Sequence, residues 1–166
     1  MKQLWIFRHA HAEPYAGEET DFQRQLNDLG RREALAMATL ALQHKISFDR
    51  VIVSPAVRTL ATAAELVRAL EIPRDRVHAD ERIYLADRAS LVDIVRALPG
   101  DCERALLVGH NPAVSRLARW LTDDDEVGEF EPATLLGTGA ELNHWADVQR
   151  GLFQRLRLLR PTDVGR

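Results

Sequence analysis

Arg8 and His9 stand together directly after an apolar run, Leu4-Trp5-Ile6-Phe7, and two later runs end in a similar way. Val51-Ile52-Val53 leads into Ser54-Pro55-Ala56-Val57-Arg58, and Ala105-Leu106-Leu107-Val108 leads into Gly109-His110-Asn111-Pro112. Short apolar runs of this kind are strands, and open α/β sheets collect their ligands at the C-terminal strand ends. If the three strands are parallel neighbours, Arg8, His9, Arg58 and His110 converge on one pocket suited to a phosphoryl group. Neutral imidazole, with an ordinary pKa of about 6.5, is a good nucleophile near neutral pH. One ring nitrogen of His9 can attack phosphorus while the other keeps its proton against an acceptor in its own loop. Arg8 and Arg58 offer planar, permanently charged donors to the phosphoryl oxygens, and His110 adds another donor. Helices starting at Pro55 and Pro112 direct further amides at the same anion. The scheme needs no metal and no cofactor. Each residue alone also fits a structural role; their recurrence at three strand ends is what carries the argument.

The elements that must position these residues alternate between strand and helix, the signature of an α/β fold. A polar stretch from Glu13 to Arg24, with Pro14, Gly17 and several acids, reads as a long loop able to border a site. Asn27 is a plausible N-cap for a helix with Leu29, Ala34, Leu35, Ala38 and Leu42 in helical rhythm. The strand Arg50 to Val53 meets Ser54-Pro55, an N-cap and first-turn pair for a helix to about Leu70. A short strand around Val77 to Ala79 follows Pro73, then a helix from Ser90 to Leu98. After the strand Arg104 to Val108, Asn111-Pro112 repeats the cap pair before a helix to about Leu121. Segments Ala133 to Leu142 and Leu152 to Leu159 are strand-like with a short connection, which predicts antiparallel pairing and a mixed sheet.

Composition sets the outer bounds. With 166 residues, 46% hydrophobic and 28% charged, the chain is expected to form one folded domain, residues 1–166. A net charge of −3 argues against general nucleic-acid binding. The single cysteine, Cys102, excludes an internal disulfide and reads as an incidental loop thiol. No apolar run approaches the roughly 20 residues of a membrane span. Met1-Lys2 opens no signal peptide, so a cytoplasmic protein with no membrane contact is expected. The run Asp123 to Glu126 reads as a solvated acidic turn, without the spacing of a calcium loop.

The three motifs resemble those of the histidine phosphatase, or phosphoglycerate-mutase-like, superfamily. Arg8-His9-Ala10 looks like its Arg-His-Gly motif, Ser54 to Arg58 like its Ser-Pro-x-x-Arg, and Gly109-His110 like its second histidine motif. The resemblance covers nearly the whole chain and is closest to the short SixA-type phosphohistidine phosphatases. Phe22 to Gly30, Tyr84-Leu85-Ala86 and Val108 to Pro112 follow that branch. It implies one histidine phosphatase domain with a three-layer αβα fold around a mostly parallel, mixed sheet. It also implies His9 as the phosphorylated nucleophile, with Arg8, Arg58 and His110 as the phosphate pocket. Three positions depart from the pattern. Ala10 replaces the motif glycine, Ala61 stands where many relatives carry glutamine, and Asn27 stands where threonine is usual. Larger relatives use an acidic side chain to protonate the leaving oxygen, and Glu81 lies near the place expected for it. Glu81 also reads as a surface charge paired with Arg82; Asp80 is a poorer candidate acid. His11 is expected at the rim, while His44, His78 and His144 default to structural or surface roles.

The leading expectation is a metal-independent phosphatase that removes phosphate from phosphohistidine on a phosphotransfer protein. A short chain without a large cap leaves the pocket open to a protein surface. Hydrolysis of small phosphate esters or sugar phosphates is the second reading, favoured if Glu81 is aimed at the pocket and the Glu13 to Arg24 loop closes over it. A non-catalytic phosphate-binding module is the third, although a mere binder has no use for the nucleophile His9.

Overall fold

Alternation along the first strand, β1 (Lys2–Arg8), divides the protein into layers: Leu4 and Ile6 enter one hydrophobic cluster, Trp5 and Phe7 another. The computed structural model describes residues 1–15 and 20–166, so Gly17 of the expected loop lies outside the described residues. The other strands are β2 (Arg50–Val53), β3 (Val77–Ala79), β4 (Arg104–Gly109), β5 (Leu135–Ala140) and β6 (Gln154–Leu159). They form one sheet in the order β3-β2-β4-β1-β5-β6. β3, β2, β4 and β1 run parallel, while β5 and β6 are antiparallel to their neighbours. The mixed three-layer α/β fold is therefore as expected.

Helices α1 (Asp28–Gln43) and α2 (Val57–Ala69) cover the Trp5/Phe7 face, and α3 (Arg88–Arg96) and α4 (Ala113–Thr122) cover the Leu4/Ile6 face. Phe7, Leu4 and Ile6 are fully buried; burial of each such side chain stabilises the fold by about 1.5–3 kcal/mol. The register pairs Arg8 with Gly109 and Val53 with Val108, which brings the three motif-bearing strand ends side by side. That adjacency is the whole basis of the site.

Several local expectations need correction. Asn27 does cap α1, its side chain accepting from the Gly30 amide at 2.8 Å. The buried face of α1 is made by Gly30, Ala34, Met37, Ala38, Leu40 and Ala41, whereas Leu29, Leu35 and Leu42 are exposed. Neither Ser54 nor Asn111 is an N-cap: α2 and α4 are preceded by Ala56 and Pro112, without a side-chain cap bond. The helix expected from Ser90 starts earlier, with Asp87 accepting from the Ser90 amide as its cap. Cys102 is a buried thiol packed into the α3/α4 side of the core, and burial pushes its pKa up to about 11. Among the described residues no helix is long and apolar enough to cross a membrane.

Candidate active site

His9 is the first residue beyond β1, and both sides of its backbone are tied down. Its amide donates to the Gly109 carbonyl at 3.2 Å, and its carbonyl accepts from Ala133 at 3.1 Å. Ala133 takes a left-handed φ of 60° to do so, a conformation that costs an L-residue about 1–2 kcal/mol. The imidazole Nδ1 lies 2.7 Å from the carbonyl of Ala10. A carbonyl only accepts, so Nδ1 carries the proton and Nε2 presents its lone pair. Arg58 Nε donates to that lone pair at 3.4 Å. Burial, and then the nearby Arg58, Arg8 and Arg24, depress the His9 pKa to about 4, partly opposed by the Ala10 hydrogen bond. His9 is therefore a neutral imidazole with one unprotonated nitrogen at neutral pH.

The residues after His9 are braced by the two helices of the same face. The Ala10 amide donates to Thr62 Oγ1 at 3.1 Å, and Thr62 in turn donates to the Arg58 carbonyl at 2.7 Å. The His11 carbonyl accepts from the Asn27 amide at 3.1 Å. A Cβ added at Gly30 would lie 1.9 Å from that carbonyl oxygen, so the start of α1 packs on the His9 loop as only glycine allows. His11 itself bonds Glu33 through both its amide, at 3.0 Å, and Nδ1, at 2.8 Å. Ala10 is fully buried among the core residues of this face. Its methyl group is thus directed into the core.

Arg58 enters from the first turn of α2 and is 5% exposed. Its Nη2 donates to Asp21 Oδ2 at 3.0 Å and to His110 Nδ1 at 3.3 Å, and its Nη1 donates to the Asp21 carbonyl at 2.7 Å. Because guanidinium only donates, His110 Nδ1 is the acceptor and the ring proton sits on Nε2, which donates to Ser54 Oγ at 2.8 Å. Burial first, then Arg58 and His9, depress the His110 pKa to about 3. The two rings face each other with centroids 5.3 Å apart. Arg8 Nη1 donates to the Phe130 carbonyl at 2.6 Å, a carbonyl shared with the Asn111 side chain. Its buried Nε finds no partner among the described residues. A half-buried guanidinium with a spare buried donor beside two neutral imidazoles favours an anion.

His9, Arg58 and His110 are thus joined by hydrogen bonds, with Arg8 at the adjacent strand end. Glu81 is not joined to them: it lies exposed in a 3-10 turn, Glu81–Ile83, and its carboxylate makes no hydrogen bond or ion pair among the described residues. Its expected partner Arg82 instead pairs with Asp80, at 2.7 Å and 3.0 Å. Ala61 lines a concavity of about 430 Å³ between α1 and α2, together with Ala34, Leu35 and Val57. That concavity holds none of the four site residues. The contacts of three residues, Asp21, Tyr84 and Ser54, were not legible in the sequence. Asp21, in the loop before α1, accepts from Tyr84 Oη at 2.6 Å and Arg24 at 2.8 Å in addition to Arg58. Those donors, Tyr84 foremost, hold its carboxyl well below the usual carboxylate range. Tyr84 also packs edge-on to His110, with centroids 5.6 Å apart, and Ser54 holds the far nitrogen of that ring.

Comparison with known proteins places this arrangement in context. The model of the histidine phosphatase superfamily (branch 1) matches residues 4–83. No curated protein sequence matches the chain. Among solved structures, the SixA protein of Agrobacterium tumefaciens superposes with a TM-score of 0.82 at 23% identity, covering 96% of this chain and 99% of that one. The SixA protein of Nakamurella multipartitia gives 0.82 at 25% identity, over 96% of each chain. The protein histidine phosphatase SixA complexed with tungstate gives 0.82 at 22% identity, over 98% of this chain and 99% of that one.

Proposed function

We propose, from the match of residues 4–83 to the model of branch 1 of the histidine phosphatase superfamily, that the chain is a metal-independent phosphatase of that family acting on phosphohistidine of a protein. The observation that carries the reading is the His9 ring itself. Its Nδ1 proton is fixed on the Ala10 carbonyl, and its Nε2 lone pair lies 3.4 Å from the Arg58 guanidinium. A nucleophile held neutral against a permanent cation suits attack on an anion better than any purely structural role.

In the first step His9 Nε2 bonds to phosphorus as the bond from phosphorus to the substrate nitrogen breaks. The departing imidazole nitrogen takes its proton from solvent. Water then attacks the phosphorylated His9, giving inorganic phosphate and restoring the neutral ring. Arg58 and Arg8 offset the charge on the transferring oxygens, where electrostatic stabilisation is worth most. An imidazole leaves more readily than an alkoxide, which accords with a site where the carboxylate bonded to Arg58, that of Asp21, is held ionised. A protein substrate is supported by the surface beside the site. Tyr84 packs on His110 and Phe22 packs on Tyr84, and the next residue, Leu85, is 86% exposed.

The test is phosphate release from a histidine-phosphorylated phosphotransfer protein in EDTA, comparing wild type with His9→Ala. Release by wild type alone is expected. Equal release by the variant would remove covalent catalysis through His9, and no release by either would move the assignment to small phosphate esters.

A further inference from the structure

Arg58 presents two edges, and the site uses them differently. The Nε/Nη2 edge faces the two histidines, with Nε on His9 Nε2 at 3.4 Å and Nη2 on His110 Nδ1 at 3.3 Å. The Nη1 side is gripped by one residue: Asp21 accepts from Nη1 through its backbone carbonyl at 2.7 Å and from Nη2 through Oδ2 at 3.0 Å. A planar guanidinium has no freedom to rotate once held at two points along one side. Its opposite fork is then fixed between the two rings, the geometry needed for two parallel bonds to one phosphoryl group.

Asp21 is itself anchored. Tyr84 Oη donates to the same Oδ2 at 2.6 Å, and Arg24 holds Oδ1 at 2.8 Å. The Tyr84 ring is clamped in turn between His110, at 5.6 Å, and Phe22, at 5.1 Å. The chain of contacts runs from the loop before α1 through Tyr84 to His110, and from both ends to Arg58. A carboxylate placed beside an anion site opposes anion binding by its charge. Its presence here therefore calls for a reason other than direct affinity.

We propose that Asp21 is the positioning residue that turns the Nε/Nη2 fork of Arg58 toward the phosphoryl group, with Tyr84 holding Asp21 in place. The role rests on the phosphate-site reading given above. It acts through Arg58 and involves no proton transfer by Asp21.

The two effects of Asp21 have opposite signs, so one measurement separates them. Removing a carboxylate near the pocket strengthens oxyanion binding if charge alone matters. Removing a positioning group weakens it. Tungstate affinity is measured by calorimetry on the full chain for wild type, Asp21→Ala, Asp21→Asn, Arg58→Ala and the Asp21→Ala/Arg58→Ala double variant. We expect Asp21→Ala to weaken tungstate binding about tenfold or more, and Asp21→Asn, which keeps an acceptor oxygen, to recover part of the loss. In the Arg58→Ala background, Asp21→Ala should cause no further loss, as two residues acting through one contact do not add. Tyr84→Phe, which removes a single oxygen, should weaken binding in the same direction by a smaller factor and covers the case in which Asp21→Ala fails to fold. Unchanged or tighter binding in both Asp21→Ala and Tyr84→Phe would overturn the positioning role, as would a full additional loss in the double variant. Failure of wild type to bind tungstate would instead overturn the phosphate-site reading, and the inference with it.

Discussion

His9 and His110 face each other across 5.3 Å in opposite tautomers, His9 protonated on Nδ1 and His110 on Nε2. The opposition is set by partners that each have one role only. The Ala10 carbonyl must accept, and the Arg58 guanidinium must donate. Each ring therefore turns a lone pair toward Arg58, and both lone pairs lie where an incoming phosphoryl group would meet them.

The ring states are open to direct measurement. Nitrogen-detected NMR of the imidazoles should find His9 as the Nδ1–H tautomer and His110 as the Nε2–H tautomer at pH 7. Both should stay neutral through pH 5, because their pKa values are depressed to about 4 and about 3. A ring titrating near 6.5 at either position would contradict the buried, cation-flanked environment.

The same shifts fix how stability varies with pH. Unfolded histidine binds its proton below about 6.5, whereas the folded rings resist until far lower, so the unfolded state holds more protons in between. Stability is then complete above about pH 6.5 and falls as pH drops toward 4. At pH 5 each ring should cost about 2 kcal/mol relative to pH 7. Urea midpoints at the two pH values measure this, and His110→Gln should remove about half of the difference. An identical pH dependence in the variant would show that His110 is not depressed in the folded state.

Much of this site was legible from spacing alone, since three strand ends carrying Arg8-His9, Arg58 and His110 needed only parallel adjacency to converge. β2 and β3 fall at their expected residues because apolar runs bounded by turn residues leave few alternatives. The two misread helix caps have a common cause. Ser54 and Asn111 look like helix caps because the same short polar residues serve caps and sites. Here His110 claims Ser54, while Phe130 and Ser115 claim Asn111. Asp21 had no local signal, as its bonds to Arg58 and Tyr84 span 37 and 63 residues and its loop has no periodicity. In α1 the expected Ala34 and Ala38 are buried together with Met37, Leu40 and Ala41, but the expected Leu29, Leu35 and Leu42 fall off that face.

Gly30 tests whether α1 braces the His9 loop. Alanine there would bring Cβ to 1.9 Å from the His11 backbone oxygen, a contact that only movement of one backbone or the other can relieve. Gly30→Ala should destabilise the fold by about 1–3 kcal/mol. Displacement of the loop should also cut turnover about tenfold or more, because a shift near 1 Å at a nucleophile is costly. Thermal melts and steady-state rates on the same samples give both values. Normal turnover together with lowered stability would mean that α1, not the loop, absorbs the strain.

Glu81 is the remaining candidate acid, and its position predicts little work on a phosphohistidine substrate. It is exposed, makes no hydrogen bond or ion pair with His9, Arg58 or His110 among the described residues, and sits beside an Asp80–Arg82 pair that excludes it from the obvious ion pair. General acid catalysis requires hydrogen-bond reach to the leaving atom, directly or through one water. The leaving imidazole also needs less assistance than an alkoxide. Glu81→Gln should therefore release phosphate from a phosphohistidine protein within about threefold of wild type, a loss well below the roughly 10²–10⁴ of a working acid. The informative control is an alkyl phosphate ester, whose leaving oxygen does require a proton. If Glu81→Gln were to abolish ester hydrolysis while sparing phosphohistidine, the Glu81 turn would have to swing into the site when an ester binds, and the substrate range would be broader than the open pocket suggests. Comparable rates on both substrates leave solvent as the proton source.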